Sequence, residues 1–254
     1  MIDSSALLTD GQRSVLGLVD DLRRRSEADE AVRVSVRGMF SQAMAAGRTD
    51  KAYEEWLEDL LAQVAVDWVL ASVFVRFCED NGLIDTPLLS GPGARFDVAR
   101  DHRAEFFADN PTAGDREWLE HVFRRYQEIP AVAAIFGDRN PLWQVAPSAD
   151  GARSILELWW AQDDEGRGIR HDFTDPEWDT RFLGDLYQDL SEHARKQYAL
   201  LQTPEFIEAF ILDRTLDPAI DTMRRLIHDT NESAGSCQLS PECCWPSACW
   251  HCRT

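Results

Sequence analysis

Along most of this chain apolar residues recur every three to four positions, the spacing that puts them on one side of a helix. Val15, Leu18, Val19 and Leu22 predict a first helix over about residues 10–28. A second covers about 30–46 and stops at Gly47, a residue suited to the left-handed turn that closes helices. The strongest pattern runs from Lys51 to Asp80. Tyr53, Trp56, Leu57, Leu60, Leu61, Val64, Trp68, Val69 and Phe74 make one wide apolar face there, and Gly82 supplies the stop. Large aromatics at this spacing belong to a helix-packing core rather than to a ligand box.

Pro87 to Gly93 is a turn-rich break, followed by helical stretches at about 100–109 and 115–128. Asn140-Pro141-Leu142-Trp143 opens an irregular segment, and Leu156, Leu158, Trp159 and Trp160 mark a short helix. Leu183, Leu186, Tyr187 and Leu190 define another helix over about 179–190, which continues through Leu201 with His193, Arg195 and Lys196 on its polar side. Alternating strand patterns are scarce, so the fold class is mostly α.

Composition adds limits. A 254-residue chain with 44% hydrophobic residues can bury a sizeable core. The formal net charge of −19 repels nucleic acid on average, so the chain is not expected to supply most of any DNA contact. Arg23, Arg24 and Arg25 sit among acids and read as a solvated, locally paired helix end. The run from Val64 to Phe77 is interrupted by Asp67 and Arg76 and is short for a bilayer span. The N-terminus carries no basic leader, so no membrane and a cytoplasmic location are expected. Adjacent acids at Asp163, Asp164 and Glu165 invite a cation, but no further ligand pattern supports one.

Residues 181–220 hold the candidate chemistry. Thr203-Pro204 is a good helix start: threonine caps, and proline in the first turn forfeits no helical hydrogen bond. Phe206, Ile207, Phe210 and Ile211 are expected to form the buried face of the helix that follows. A helix N-terminus also offers free N–H groups to an anion, and a threonine hydroxyl beside them suits the carboxylate of an amino-acid-like cofactor. Both readings use one geometry.

The stretch Tyr198-Ala199-Leu200-Leu201-Gln202-Thr203-Pro204-Glu205-Phe206 resembles the Thr-Pro cofactor motif upstream of the catalytic core in adenine-N6 DNA methyltransferases. Residues 172–191, from Asp172-Phe173-Thr174-Asp175 to Gln188-Asp189-Leu190-Ser191, resemble the phage-growth-limitation methyltransferases of type 2 BREX defence systems. Phe74-Val75-Arg76-Phe77-Cys78-Glu79-Asp80-Asn81-Gly82-Leu83-Ile84 and Asn140-Pro141-Leu142-Trp143 do as well. The resemblance implies an enzyme that uses S-adenosylmethionine (SAM) to methylate adenine N6 in DNA, marking host DNA within a phage-defence system. DNA and other defence proteins are the implied partners. Cofactor-binding roles fall to Thr203 and Pro204 at the methionine end of SAM, with Phe206 as support. No catalytic or metal-binding residue is assigned. The family's Gly-rich Asp-Pro-x-Cys-Gly-Ser-Gly loop and its Asn-Pro-Pro-Tyr motif do not occur in this sequence.

The expected organisation is a helical N-terminal domain over 1–178, a helical lead-in over 179–227 carrying the Thr-Pro motif, and a disordered, aberrant tail over 228–254. The catalytic α/β domain is largely absent. No SAM binding and no methylation are expected from this chain alone. Five of six cysteines lie in the tail: Cys237, Cys243, Cys244, Cys249 and Cys252. Their crowding argues against a zinc site and fits leucine-rich codons read out of frame. A rival reading is an acidic helical interaction subunit or DNA mimic.

Overall fold

In the computed structural model the chain is helical, with one isolated bridge between Gln162 and Ile169 and no strand among the described residues. The structure describes residues 3–163, 165–166, 168–175, 181–190 and 205–235. It divides into two units, Met1–Leu200 and Leu201–Thr254.

Among its described residues the first unit holds seven α-helices: α1 (Ser4–Ala28), α2 (Glu30–Ala45), α3 (Tyr53–Asp80), α4 (Ala94–Asp109), α5 (Asp115–Gln127), α6 (Ala149–Trp160) and α7 (Arg181–Leu190). A 3-10 turn, Pro141–Trp143, precedes α6. Helix α1 begins earlier than its apolar spacing suggests. The Asp3 carboxylate accepts the N–H groups of Ser5 and Ala6, and this cap adds a turn that buries Leu7. Helix α4 likewise begins at Ala94, after Gly93, rather than near Arg100. Gly47 and Gly82 both have φ near +60°, as helix-closing residues require, and Arg48 and Leu83 donate back across them to Ala43 and Cys78.

Helix α3 is the axis of the unit and packs against α1, α2, α5, α7 and the 3-10 turn. Leu57, Leu61, Val64, Trp68 and Val69 are buried, as their spacing predicts. By length and composition α3 is apolar enough to cross a membrane, so Asp67 and Arg76 do not exclude that on their own; its apolar window is 67% buried inside the unit. The indole N–H of Trp68 donates to the Leu142 carbonyl at 2.9 Å and holds the 3-10 turn against the helix. Asn140 caps that turn, accepting from Leu142 and donating to the Ile135 carbonyl. Helix α7 lays Leu186 and Leu190 into the core and packs on α1.

Arg25 departs from the solvated reading. Its guanidinium crosses to α6 and donates to the carbonyls of Ala146 and Pro147, just before the Ser148 cap. Asp21, one turn earlier, accepts both the N–H and the hydroxyl of Ser148, at 2.8 and 2.6 Å. Charged residues of α1 therefore fix the start of α6.

The second unit contains α8 (Glu205–Arg214) and α9 (Leu216–Gly235), which pack on each other. Ile207, Phe210 and Ile211 are exposed, not buried as expected. Among the described residues each of these helices has one neighbouring helix in its unit, too little surface to cover a full apolar face. Helix α9 runs across residue 228, where the tail was expected to begin.

Candidate functional site

The last turn of α3 gathers the most unusual chemistry of the described residues. Arg76, Glu79 and Asp80 lie three and four residues apart, on a helix side that is otherwise core. The side chains of Arg76 and Asp80 are fully buried, and Glu79 is buried with them. Buried charges persist only when paired and hydrogen-bonded, and each of these has an assigned partner.

The Glu79 carboxylate accepts three consecutive backbone N–H groups: Leu88 at 2.6 Å, and Leu89 and Ser90 at 3.1 Å. It fixes the loop between α3 and α4. The Ser90 hydroxyl then donates to the Trp159 carbonyl and joins that loop to α6. Arg76 donates to Asp80 at 2.6 Å and to the His171 carbonyl at 3.0 Å. Asp80 accepts the Phe173 N–H at 2.9 Å. Asn81, the α3 cap, donates to the Phe173 carbonyl and accepts the Asp175 N–H, both at 2.8 Å. Residues 171–175 are thus clasped to α3 by side chains rather than by a sheet ladder. From the other side, Asp10 of α1 accepts from Arg170 at 2.7 Å and meets His171 Nε2 at 3.1 Å.

Burial sets the electrostatics. It pushes Glu79 up to about 7 against the pull of its three N–H donors and of Arg76. It raises Asp80 to about 6, with Arg76 and the Phe173 N–H opposing. Burial also lowers the Arg76 and His171 values, favouring neutral imidazole. For Asp10 burial works upward, yet hydrogen bonds from Arg170 and His171 hold its carboxyl below the usual range.

Perturbed carboxylates beside a histidine are what an acid–base site also shows. Here both Glu79 oxygens and one Asp80 oxygen accept backbone N–H groups, the Trp159 ring lies by Arg76 and His171, and the Phe173 ring lies by Arg76. The arrangement positions a chain segment. No group of histidine, cysteine, aspartate and glutamate spaced for a metal occurs among the described residues, and Asp163 instead closes a turn with Gly166 and Gly168.

Thr203 and Pro204 lie outside the described residues. Phe206 falls in the first turn of α8, and its side chain is likewise outside them. Sequence reasoning missed the clasp itself. Its signal was present: charges at positions 76, 79 and 80 inside an apolar run, where a solvated helix side would show them without buried neighbours.

Compared with known proteins, 231 aligned residues are 47% identical to the adenine-specific methyltransferase PglX of Streptomyces coelicolor, covering 87% of this chain. By sequence, this chain is a relative of PglX. It spans 19% of the length of that PglX protein. No family model matches the chain, and no solved structure does. Three of the stretches that carry the resemblance to PglX-type enzymes meet α3 through their described residues. Residues 74–84 form its end, 140–143 are held by Trp68, and 172–175 are held by Asp80 and Asn81.

Proposed function

We propose that this chain is the N-terminal part of a SAM-dependent DNA adenine-N6 methyltransferase that serves a phage-defence system. The observation that carries the reading is the 47% identity to PglX over 87% of the chain. The clasp gives it physical sense, because residues 171–175 are held at both ends of their hydrogen-bonding reach, by α3 and by α1. That ordered segment is part of the stretch 172–191 that carries the resemblance. In the complete enzyme Thr203 and Pro204 would line the methionine end of SAM at a helix N-terminus, with Phe206 in support, and the enzyme's other parts would enclose the cofactor and hold the extruded adenine. This chain by itself binds no SAM and transfers no methyl group in this reading.

The test is a chimera. The matching segment of Streptomyces coelicolor PglX is replaced by this chain's residues, and adenine methylation of host DNA is measured. Methylation is expected to persist, and Thr203→Ala in the chimera is expected to raise the SAM concentration needed for half-maximal rate. A folded chimera that cannot methylate adenine overturns the proposal, and an unchanged SAM requirement removes Thr203 from it.

A further inference from the structure

A groove of about 1060 Å³ lies between the C-terminal half of α4, helix α5 and the loop from Leu83 to Leu88. Its floor is aromatic. The Phe106 ring is 5.2 Å from Trp118 and 4.9 Å from His121, and Trp118 and His121 stack at 5.6 Å. Trp118 is 1% exposed, and its indole N–H has no acceptor among the described residues. A buried donor left in that state is costly unless something brings it a carbonyl. Leu83 stands exposed at the rim.

The rim is acidic. Asp85, Glu105, Asp109 and Glu128 surround the groove, and the guanidinium of Arg125 is bonded to Glu128 at 2.8 Å. Burial, and then Arg125, lowers the His121 value, so that ring adds no charge at neutral pH. Glu105 and Asp109 stand one turn apart at the C-terminal end of α4, whose last turn holds no basic residue, and Glu105 meets His102 Nδ1 at 3.4 Å. The C-terminal end of a helix is negative and favours cations, so two carboxylates there are misplaced for stability alone. A bound cation removes the misfit.

We propose that this groove docks a basic, leucine-bearing peptide segment of a partner protein. A cationic side chain sits between Glu105 and Asp109, an apolar one rests on Phe106 and Trp118, and a peptide carbonyl accepts the Trp118 N–H. Peptide helices and extended segments dock in grooves of this kind through a few apolar anchors with charges at the edge. Nucleic acid is the wrong sign for this rim.

The test uses the full 254-residue chain and fluorescence polarisation. The probe is a labelled decapeptide alternating arginine and leucine, set against the same peptide with glutamate for arginine and against a single-stranded oligonucleotide. The basic peptide is expected to bind in the micromolar range and the others not. The exposed pair Glu105→Gln with Asp109→Asn is expected to weaken it roughly five- to tenfold. Asp20→Asn with Glu54→Gln removes as much charge elsewhere and is expected to change nothing. Three results overturn the proposal: no basic-peptide binding at about 100 μM, tighter binding of the oligonucleotide, or equal weakening by the control pair.

Discussion

Glutamine at position 79 separates the two effects that meet in the clasp. The carboxylate accepts N–H groups from Leu88, Leu89 and Ser90 with both oxygens. Glutamine retains one acceptor and turns an amide donor toward N–H groups, a loss of about 1–3 kcal/mol. Opposing this, burial raises Glu79 from 4.5 to about 7. A carboxyl whose folded value lies above its unfolded value binds its proton more tightly when folded. Its contribution is greatest below about pH 4.5 and is lost as pH rises through 7. That difference is worth about 3 kcal/mol by linkage, most of it between pH 5 and 8. Glu79→Gln carries no such dependence, and the other titrating groups cancel between the two proteins. The variant is therefore expected to be less stable at pH 5 by about 1–3 kcal/mol and to gain on the wild type by about 2–3 kcal/mol by pH 8. Urea unfolding followed by tryptophan fluorescence at pH 5, 6, 7 and 8 reads the difference. A gap constant to about 0.5 kcal/mol across that range would refute the buried, proton-sensitive carboxylate.

Other substitutions probe the same architecture. Arg76→Met leaves Asp80 buried without its cation and frees the His171 carbonyl, so a loss of about 3–5 kcal/mol is expected in the same assay. Gly151→Ala drives a Cβ into the Asp21 carboxylate that holds Ser148, and thermal unfolding should show about 1–3 kcal/mol of destabilisation. Cys78 is buried, and burial together with Glu79 pushes its thiol up to about 11. Peptide mapping after iodoacetamide treatment at pH 8 should find Cys78 unmodified in the folded chain and modified in urea.

Much of the helical layout was readable because apolar spacing reports one thing well: which side of a helix meets the core. Tyr53–Asp80 and Asp115–Gln127 follow their patterns almost to the residue. The starts of α1 and α4 were not readable that way, since Asp3 and Gly93 set them without apolar residues. Arg25 was misread because its partners, two carbonyls before α6, lie 121 and 122 residues away. The clasp escaped for the same reason. Spacing marks Arg76, Glu79 and Asp80 as breaks in an apolar run, while their partners return from residues 88–90 and 171–173. For α8, spacing marked an apolar face that the second unit leaves exposed. Family resemblance supplied Thr203 and Pro204, which no spacing rule distinguishes from an ordinary capped helix.

The central claim is that this chain carries scaffold and one edge of a cofactor site, not the site itself. Isothermal titration of the full chain with SAM at pH 7.5 tests it most directly. The account predicts no saturable heat up to about 1 mM SAM. Saturable one-to-one binding with a micromolar Kd would contradict it.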